Sequence, residues 1–399
     1  MFLVSCDGPP VPADLVIENV TIYSGAHSEP RVATIALRSG VFIAIEPEGR
    51  ISFDAVERID GSDKYLMPGL WDMHVHIRSS GKGGLDVTKF PRHGVTSILD
   101  LGGYPEAIEE VATNIANGEV PGPMVYSVRS MLNGESFAPF QRAVTTREAV
   151  FAAVDELAAG GAIQIKIHRA LSPELLPAVL QAAHEHGLKV TGHIPLGVHP
   201  LEACELGMDA IEHVGSLVEA VISVSSAEKA NSESAIQYLL SDQADSLYRC
   251  LASRGVTVTP TLVIYPAIAR KRAGGMDFPP EFVEFIDNMK KITFRLYSHG
   301  VILLAGTDTS DLSDTQHTNP GVALQEELSM MQDAGIPAPH IISIATSNAA
   351  QALGVESETG SIEVGKAADF ILLGADPGAD IRNLGLATTV YRAGVPFEQ

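Results

Sequence analysis

The chain has 399 residues, with 49 acidic and 27 basic side chains, a net charge of −22, three cysteines and one tryptophan. At about 100–200 residues per domain this length admits two to three units, although an α/β barrel absorbs about 250 residues as one. Charge of this sign, with no Lys/Arg-rich run to override it locally, argues against nucleic acid or a membrane surface as partner.

Hydrophobic residues make up 45% of the chain alongside 36 Gly and 24 Pro, the composition of a compact globular protein with many turns. No apolar stretch approaches the ~20 residues of a membrane span. Met1-Phe2-Leu3-Val4-Ser5-Cys6 is too short for a signal peptide, so with Met1 as the true start the chain is expected in the cytoplasm. The alternative is an exported bacterial lipoprotein. Leu3-Val4-Ser5-Cys6 ahead of Gly8-Pro9-Pro10-Val11-Pro12 resembles a lipobox and tether, with Cys6 as the lipidated residue and the upstream signal missing. Cys6, Cys204 and Cys250 are scattered and form no CxxC, so neither a disulfide framework nor a thiolate zinc site is expected.

From Ala13 to about Leu66, short β-like runs are broken by turns: Leu15-Val16-Ile17, Val20-Thr21-Ile22-Tyr23, Thr34-Ile35-Ala36-Leu37, and Val41-Phe42-Ile43-Ala44-Ile45 after Ser39-Gly40. They predict a small antiparallel sheet. The pattern returns near the other end, at Ala368 to Leu373 and Thr389-Val390-Tyr391. Residues 1–66 and 355–399 are therefore expected to form one discontinuous β-sandwich domain.

Between them, apolar strand-like runs alternate with helical stretches. Strands are predicted around Val75 and at 95–99, 124–128, 163–167, 189–192, 210–212, 256–259 and 301–305. Eight such strands with intervening helices match the size and period of an α/β TIM (β/α)8 barrel, placed at 67–354. In one of the helices Ser172 is the expected cap, Pro173 occupies the first turn, and Gly187 is the stop. That helix carries His184 and His186, whose adjacent positions face different directions and suit solvent.

Polar residues at the carboxyl ends of barrel strands belong to the site. His74 and His76 share one face of the first strand. Lys166 ends Ile163-Gln164-Ile165-Lys166 among β-branched residues, where a charged amine is costly. His193 and His213 close the fifth and sixth strands, and Asp308 follows the eighth. His93 and His299 precede a glycine and a strand and suit helix ends. His27 and His340 suit the surface.

This order of HxH, strand-end Lys, two strand-end His and a final Asp resembles the amidohydrolase superfamily, in its binuclear metal branch near imidazolonepropionase-like proteins and metal-dependent prolidases. The resemblance runs from Asp14-Leu15-Val16-Ile17-Glu18-Asn19-Val20 to Gly360 through Asp369. It implies two divalent metal ions, zinc foremost, with manganese, cobalt or nickel as alternatives. His74, His76 and Asp308 would hold one and His193 and His213 the other. Lys166 would bridge them as a carbamate derived from carbon dioxide. The implied enzyme is a metal-dependent amidohydrolase. A metal-bound hydroxide would cleave the C–N amide bond of a small dipeptide or N-acyl amino acid, with Asp308 as proton shuttle. Lactone, ester or phosphotriester hydrolysis on the same site is the enzyme alternative. Deamination and a noncatalytic scaffold are disfavoured. A homo-oligomer with a small-molecule substrate is expected.

Substrate-facing candidates are His168, which shares the inward direction of Lys166, its neighbour Arg169, Tyr104, Arg129, His199, Tyr265 and His317. Relatives often carry small residues after the lysine, and Ile167-His168-Arg169 departs from that pattern.

Overall fold

A computed structural model describes residues 9–25, 29–47, 51–79, 84–135, 140–225, 231–273, 279–310 and 319–397. The segment Met1–Cys6, His27 and His317 lie outside the described residues.

Both ends of the chain enter one eight-stranded sheet. The first two predicted runs are one long strand, Val11–Ile22, with a bulge between Ile17 and Val20 where Asn19 takes φ +58°. It pairs antiparallel with Arg31–Arg38, which turns into Val41–Glu46 through Ser39 and Gly40. Both turn residues have positive φ, the geometry that matches the twist of a tight hairpin. The sheet is mixed, correcting the antiparallel expectation. Val11–Ile22 runs parallel to Phe53–Asp60 on one stretch and to Tyr65–Pro68 on another. Phe370–Leu373, from the far end of the sequence, pairs with Tyr65–Pro68 and with Ala387–Arg392.

The hairpin turn bonds back to that far end. Phe42 N–H donates to Lys366 O and Ala368 N–H to Gly40 O. The sheet thereby folds over a core drawn from both termini, including Ile17, Ile35, Phe42, Leu66, Phe370 and Tyr391. The Phe370 and Tyr391 rings stack at 4.3 Å.

All eight predicted barrel strands form. They are Leu70–His76, Val95–Asp100, Met124–Ser127, Gln164–Ile167, Lys189–Gly192, Ala210–Glu212, Thr257–Thr259 and Ile302–Leu303, and every pairing between them is parallel. Backbone bonds also join the remaining edges: Ile163 N–H to Ser127 O at 3.0 Å, Asp209 N–H to Val190 O at 3.2 Å, and Met73 N–H to Ala305 O at 2.8 Å. Closure is complete, so all strand carboxyl ends open on one mouth. The short strands Met131–Asn133 and Gln141–Ala143 form an excursion beside the fourth barrel strand.

The helix expected from Ser172 begins as a 3-10 turn at Pro173–Leu175 and continues as Leu176–Glu185. Ser172 makes no capping bond. Its hydroxyl bonds the Glu174 carboxylate instead, a local alternative open to Ser. His184 and His186 face solvent and pair with Asp209 and Asp155. His299 ends its helix, Nδ1 meeting Arg295 O at 2.8 Å, and exposed His340 meets the Tyr297 hydroxyl.

One cysteine expectation is corrected. Cys204 and Cys250 form a disulfide joining helix Pro200–Leu206 to helix Asp245–Arg254. The two positions lie 46 residues apart, so their approach is a product of barrel closure and carries no short-motif signal. No helix among the described residues is long and apolar enough to cross a membrane. Closing a loop of this length restricts the unfolded chain by about 4 kcal/mol. Reduction, or Cys204→Ser, is therefore expected to lower the thermal midpoint measured by circular dichroism, and an unchanged midpoint in reductant would contradict the bridge.

Candidate metal centre

The barrel mouth gathers the six strand-end residues. His74 and His76 are buried, and their Nε2 atoms lie 3.5 and 3.1 Å from Asp308 Oδ1. Ligand atoms of these three residues all fall within 4.8 Å of one another. The His74 ring centroid is 4.6 Å from that of His213, which is 4.8 Å from that of His193. Lys166 is 1% exposed, and its Nζ has no hydrogen-bond partner among the described residues. His193 Nδ1 is likewise buried and unpartnered. Buried donors without partners are uncommon in folded proteins and call for an unseen partner.

Local backbone explains how the side chains reach these positions. Gly192 has φ +139°, and a Cβ there would stand 2.0 Å from Ile167 O, so only glycine delivers His193 so close to the fourth strand. His213 and Asp308 themselves adopt positive φ, 65° and 56°, a costly conformation for residues with side chains.

Each imidazole except His193 is held by its Nδ1 atom, leaving Nε2 for the centre. His74 Nδ1 meets Glu212 Oε2 at 2.8 Å, His76 Nδ1 meets Gly102 O at 2.8 Å, and His213 Nδ1 meets Thr261 Oγ1 at 2.7 Å. Asp100 supports the His76 partner by accepting from the N–H of Gly102, the N–H of Ile77 and the Ser127 hydroxyl. Asp72, behind His74, accepts from the His74 N–H and from both N–H and hydroxyl of Thr307.

Burial dominates the electrostatics. It lowers the pKa of His74 and His193, and together with His74 it brings His213 down to about 3. It also lowers Lys166, against the pull of Glu212 and Asp308. Burial alone would raise Glu212 and Asp308. For Glu212 the bond to His74 prevails and holds it at about 2, while His74 and His76 keep Asp308 well below the carboxylate range. Desolvation pushes Asp72 up to about 7. Neutral imidazoles beside ionised carboxylates are the protonation states a divalent cation requires.

Of the substrate-facing candidates, His168 joins the cluster. Its ring is 4.4 Å from that of His193, and burial with Lys166 nearby lowers it to about 4. Tyr265 lies beside the sixth strand, its hydroxyl oxygen accepting from Gly215 N–H at 2.8 Å. Tyr104 packs edge-on against Phe140. Exposed Arg169 pairs with Glu219, and Arg129 lies over Gly160 toward Glu109. His199 caps helix Pro200–Leu206 by accepting from Leu201 N–H and packs on Tyr238.

Sequence reasoning did not single out Glu212, Thr261 or Asp72. Glu212 carried a readable signal, an acid within a wholly buried strand, the same argument that singled out Lys166.

With this geometry in place, comparison with known proteins is informative. The amidohydrolase family model matches residues 65–394. The chain belongs to the amidohydrolase family. Proteins of this family are hydrolases that generally use divalent metal. Among curated relatives it is 29% identical over 232 residues to adenine deaminase 3 of Rhizobium meliloti, covering 53% of this chain and 37% of that protein. It is 32% identical over 102 residues to adenine deaminase 1 of Latilactobacillus sakei, covering 24% and 17%. The chain thus spans well under half the length of these curated relatives. Solved structures resemble it over nearly its whole length. A Bifidobacterium longum protein assigned as a prolidase shares 25% identity at a TM-score of 0.74, covering 98% of this chain and 96% of that one. A Xaa-Pro dipeptidase with bound methionine shares 21% at 0.72, covering 96% and 100%. The ochratoxinase of A. niger shares 21% at 0.72, covering 97% and 96%. These last two likenesses establish the TIM barrel with its added β domain.

Glu212→Gln removes the charge that fixes His74. Metal affinity is expected to fall about 10–100-fold, as for other residues that orient a metal-binding histidine. Titration with a competing chelator measures it.

Proposed function

We propose that the chain is a metal-dependent hydrolase that cleaves the C–N amide bond of a small dipeptide or N-acyl amino acid. The observation that carries this reading is the convergence of His74, His76 and Asp308 at one mouth with two buried donors, Lys166 Nζ and His193 Nδ1, that lack partners among the described residues. Soft thiolates are missing from the cluster, and its imidazole and oxygen donors suit zinc or a neighbouring divalent metal.

His74, His76 and Asp308 would hold one ion, His193 and His213 a second, with Lys166 between them as a carbamate. Bound there, such ions would lower the pKa of water from 15.7 to roughly 7 and polarise the scissile carbonyl. Asp308 remains ionised and touches both His74 and His76, so its carboxylate can take a proton from the attacking water and deliver it to the leaving nitrogen. Half-buried His168 offers a neutral imidazole to the substrate beside His193. The Tyr265 oxygen accepts from Gly215 N–H, which leaves its own hydroxyl proton to donate to a substrate oxygen.

The composite domain of residues 1–66 and 355–399 and the barrel of 67–354 are the proposed units. Prolidase and dipeptidase neighbours over the full chain support the amide reading. The adenine deaminase relatives favour hydrolytic deamination as the second reading. A panel of dipeptides, N-acyl amino acids, lactones, phosphotriesters and adenine, offered to zinc-loaded protein, separates them; turnover of adenine alone would overturn the amide reading.

Metal analysis is expected to find about two ions per active chain, and fewer than one would sink the two-metal assignment. Lys166→Ala should abolish turnover, with partial rescue by short carboxylic acids that replace the carbamate. Asp308→Asn should cost at least ~10²-fold in kcat while some metal is retained.

A further inference from the structure

We propose that Glu327 is a positioning residue that fixes the His213 imidazole through the segment Pro260–Val263, an inference that rests on the reading of His213 as a metal-holding residue. Glu327 lies on helix Val322–Asp333, on the face that also buries Leu324, Leu328 and Met331, and it is wholly buried. One carboxyl oxygen accepts the Val263 N–H at 2.7 Å, while the other has no hydrogen-bond partner among the described residues. Burial pushes this carboxyl up to about 8. An acid in an apolar helix stripe, half of it unsatisfied, is costly to fold around, and what it holds is one short segment of chain.

That segment is conformationally demanding. Thr261, two residues before Val263, is β-branched yet sits at φ +50°, a region such residues avoid unless their surroundings impose it. Its hydroxyl donates to Pro260 O at 2.8 Å, so toward His213 Nδ1, 2.7 Å away, it acts as acceptor. The acceptor role fixes the tautomer. The proton stays on Nδ1, and the Nε2 lone pair faces the centre. Val263 directly precedes helix Ile264–Ala273, whose first N–H groups, those of Ile264 and Tyr265, bond Thr261 O and Leu262 O, so the bond from Glu327 holds the segment on which that helix starts. A single side chain, 64 residues from Val263 in sequence, thus restrains the strained turn that orients His213.

The test compares wild type, Glu327→Ala, Glu327→Gln, Thr261→Ala and the double variant Glu327→Ala/Thr261→Ala, all zinc-loaded. Metal per chain is measured after dialysis against graded chelator, and hydrogen exchange is followed on the peptide spanning 257–266. Glu327→Ala is expected to release one of its two ions at about 10-fold lower chelator and to exchange faster across that peptide. Glu327→Gln keeps an oxygen for the Val263 N–H and is expected to retain both metal and protection. The double variant is expected to lose no more metal than Thr261→Ala alone, because both act on one route. Retention and exchange in Glu327→Ala equal to wild type, or multiplied losses in the double variant, would overturn the proposal. If Glu327→Ala does not fold, Glu327→Asp, which withdraws the carboxyl by one methylene, is judged by the same outcomes. A wild-type chain that takes up no metal overturns the metal-site reading instead, whereas a loaded wild type matched by Glu327→Ala overturns the role of Glu327 alone.

Discussion

The seam between the first and eighth barrel strands is the constraint on which the rest of the molecule depends. An open sheet would leave the His74/His76 pair and Asp308 on opposite edges. Here Met73 N–H bonds Ala305 O and Asp308 N–H bonds His74 O, both at 2.8 Å. The Asp72 carboxylate, fully buried, ties the same seam from the side by accepting twice from Thr307. Thr309–Ser310 then continue the ladder beside Val75 and His76. Backbone bonds that close the barrel and contacts that assemble the centre are therefore the same few interactions.

A second constraint is charge. Several imidazoles packed ring to ring cannot all be cationic, and burial makes the neutral form the stable one for His74, His168, His193 and His213. Neutral rings keep a lone pair free, and the anchors on Nδ1 decide which nitrogen carries it. The net charge of −22 lies around this interior. An acidic exterior keeps the protein apart from polyanions, while the mouth gathers lone pairs aimed at cations.

Much of this was legible in the sequence because a barrel strand exposes its chemistry at a predictable end. Period two placed His74 and His76 on one face, and apolar runs ahead of Lys166, His193, His213 and Asp308 marked four other strand ends. The less legible parts depend on chain folded from elsewhere. Glu327 reads as one acid in a helix, and only the packing of that helix against Pro260–Val263 gives it a task. The Cys204–Cys250 bridge spans 46 residues and has no local pattern. The parallel pairing of Val11–Ile22 with Phe53–Asp60 escaped for a different reason, since alternation predicts a strand but not its direction. Arg129 and His199 stand after strands as the rule requires, yet nearby Glu109 and Leu201 claim their polar atoms.

The shared sheet also imposes an order on synthesis. Tyr65–Pro68 must wait for Phe370–Leu373, about 300 residues downstream, before its second edge is paired. At roughly 5–20 residues per second that delay is on the order of 15–60 s, during which the barrel can close while the early strands still show an unpaired edge. The amino-terminal sheet is thus the part of the nascent chain most in need of protection on the ribosome, and the last strands to emerge act as its cover.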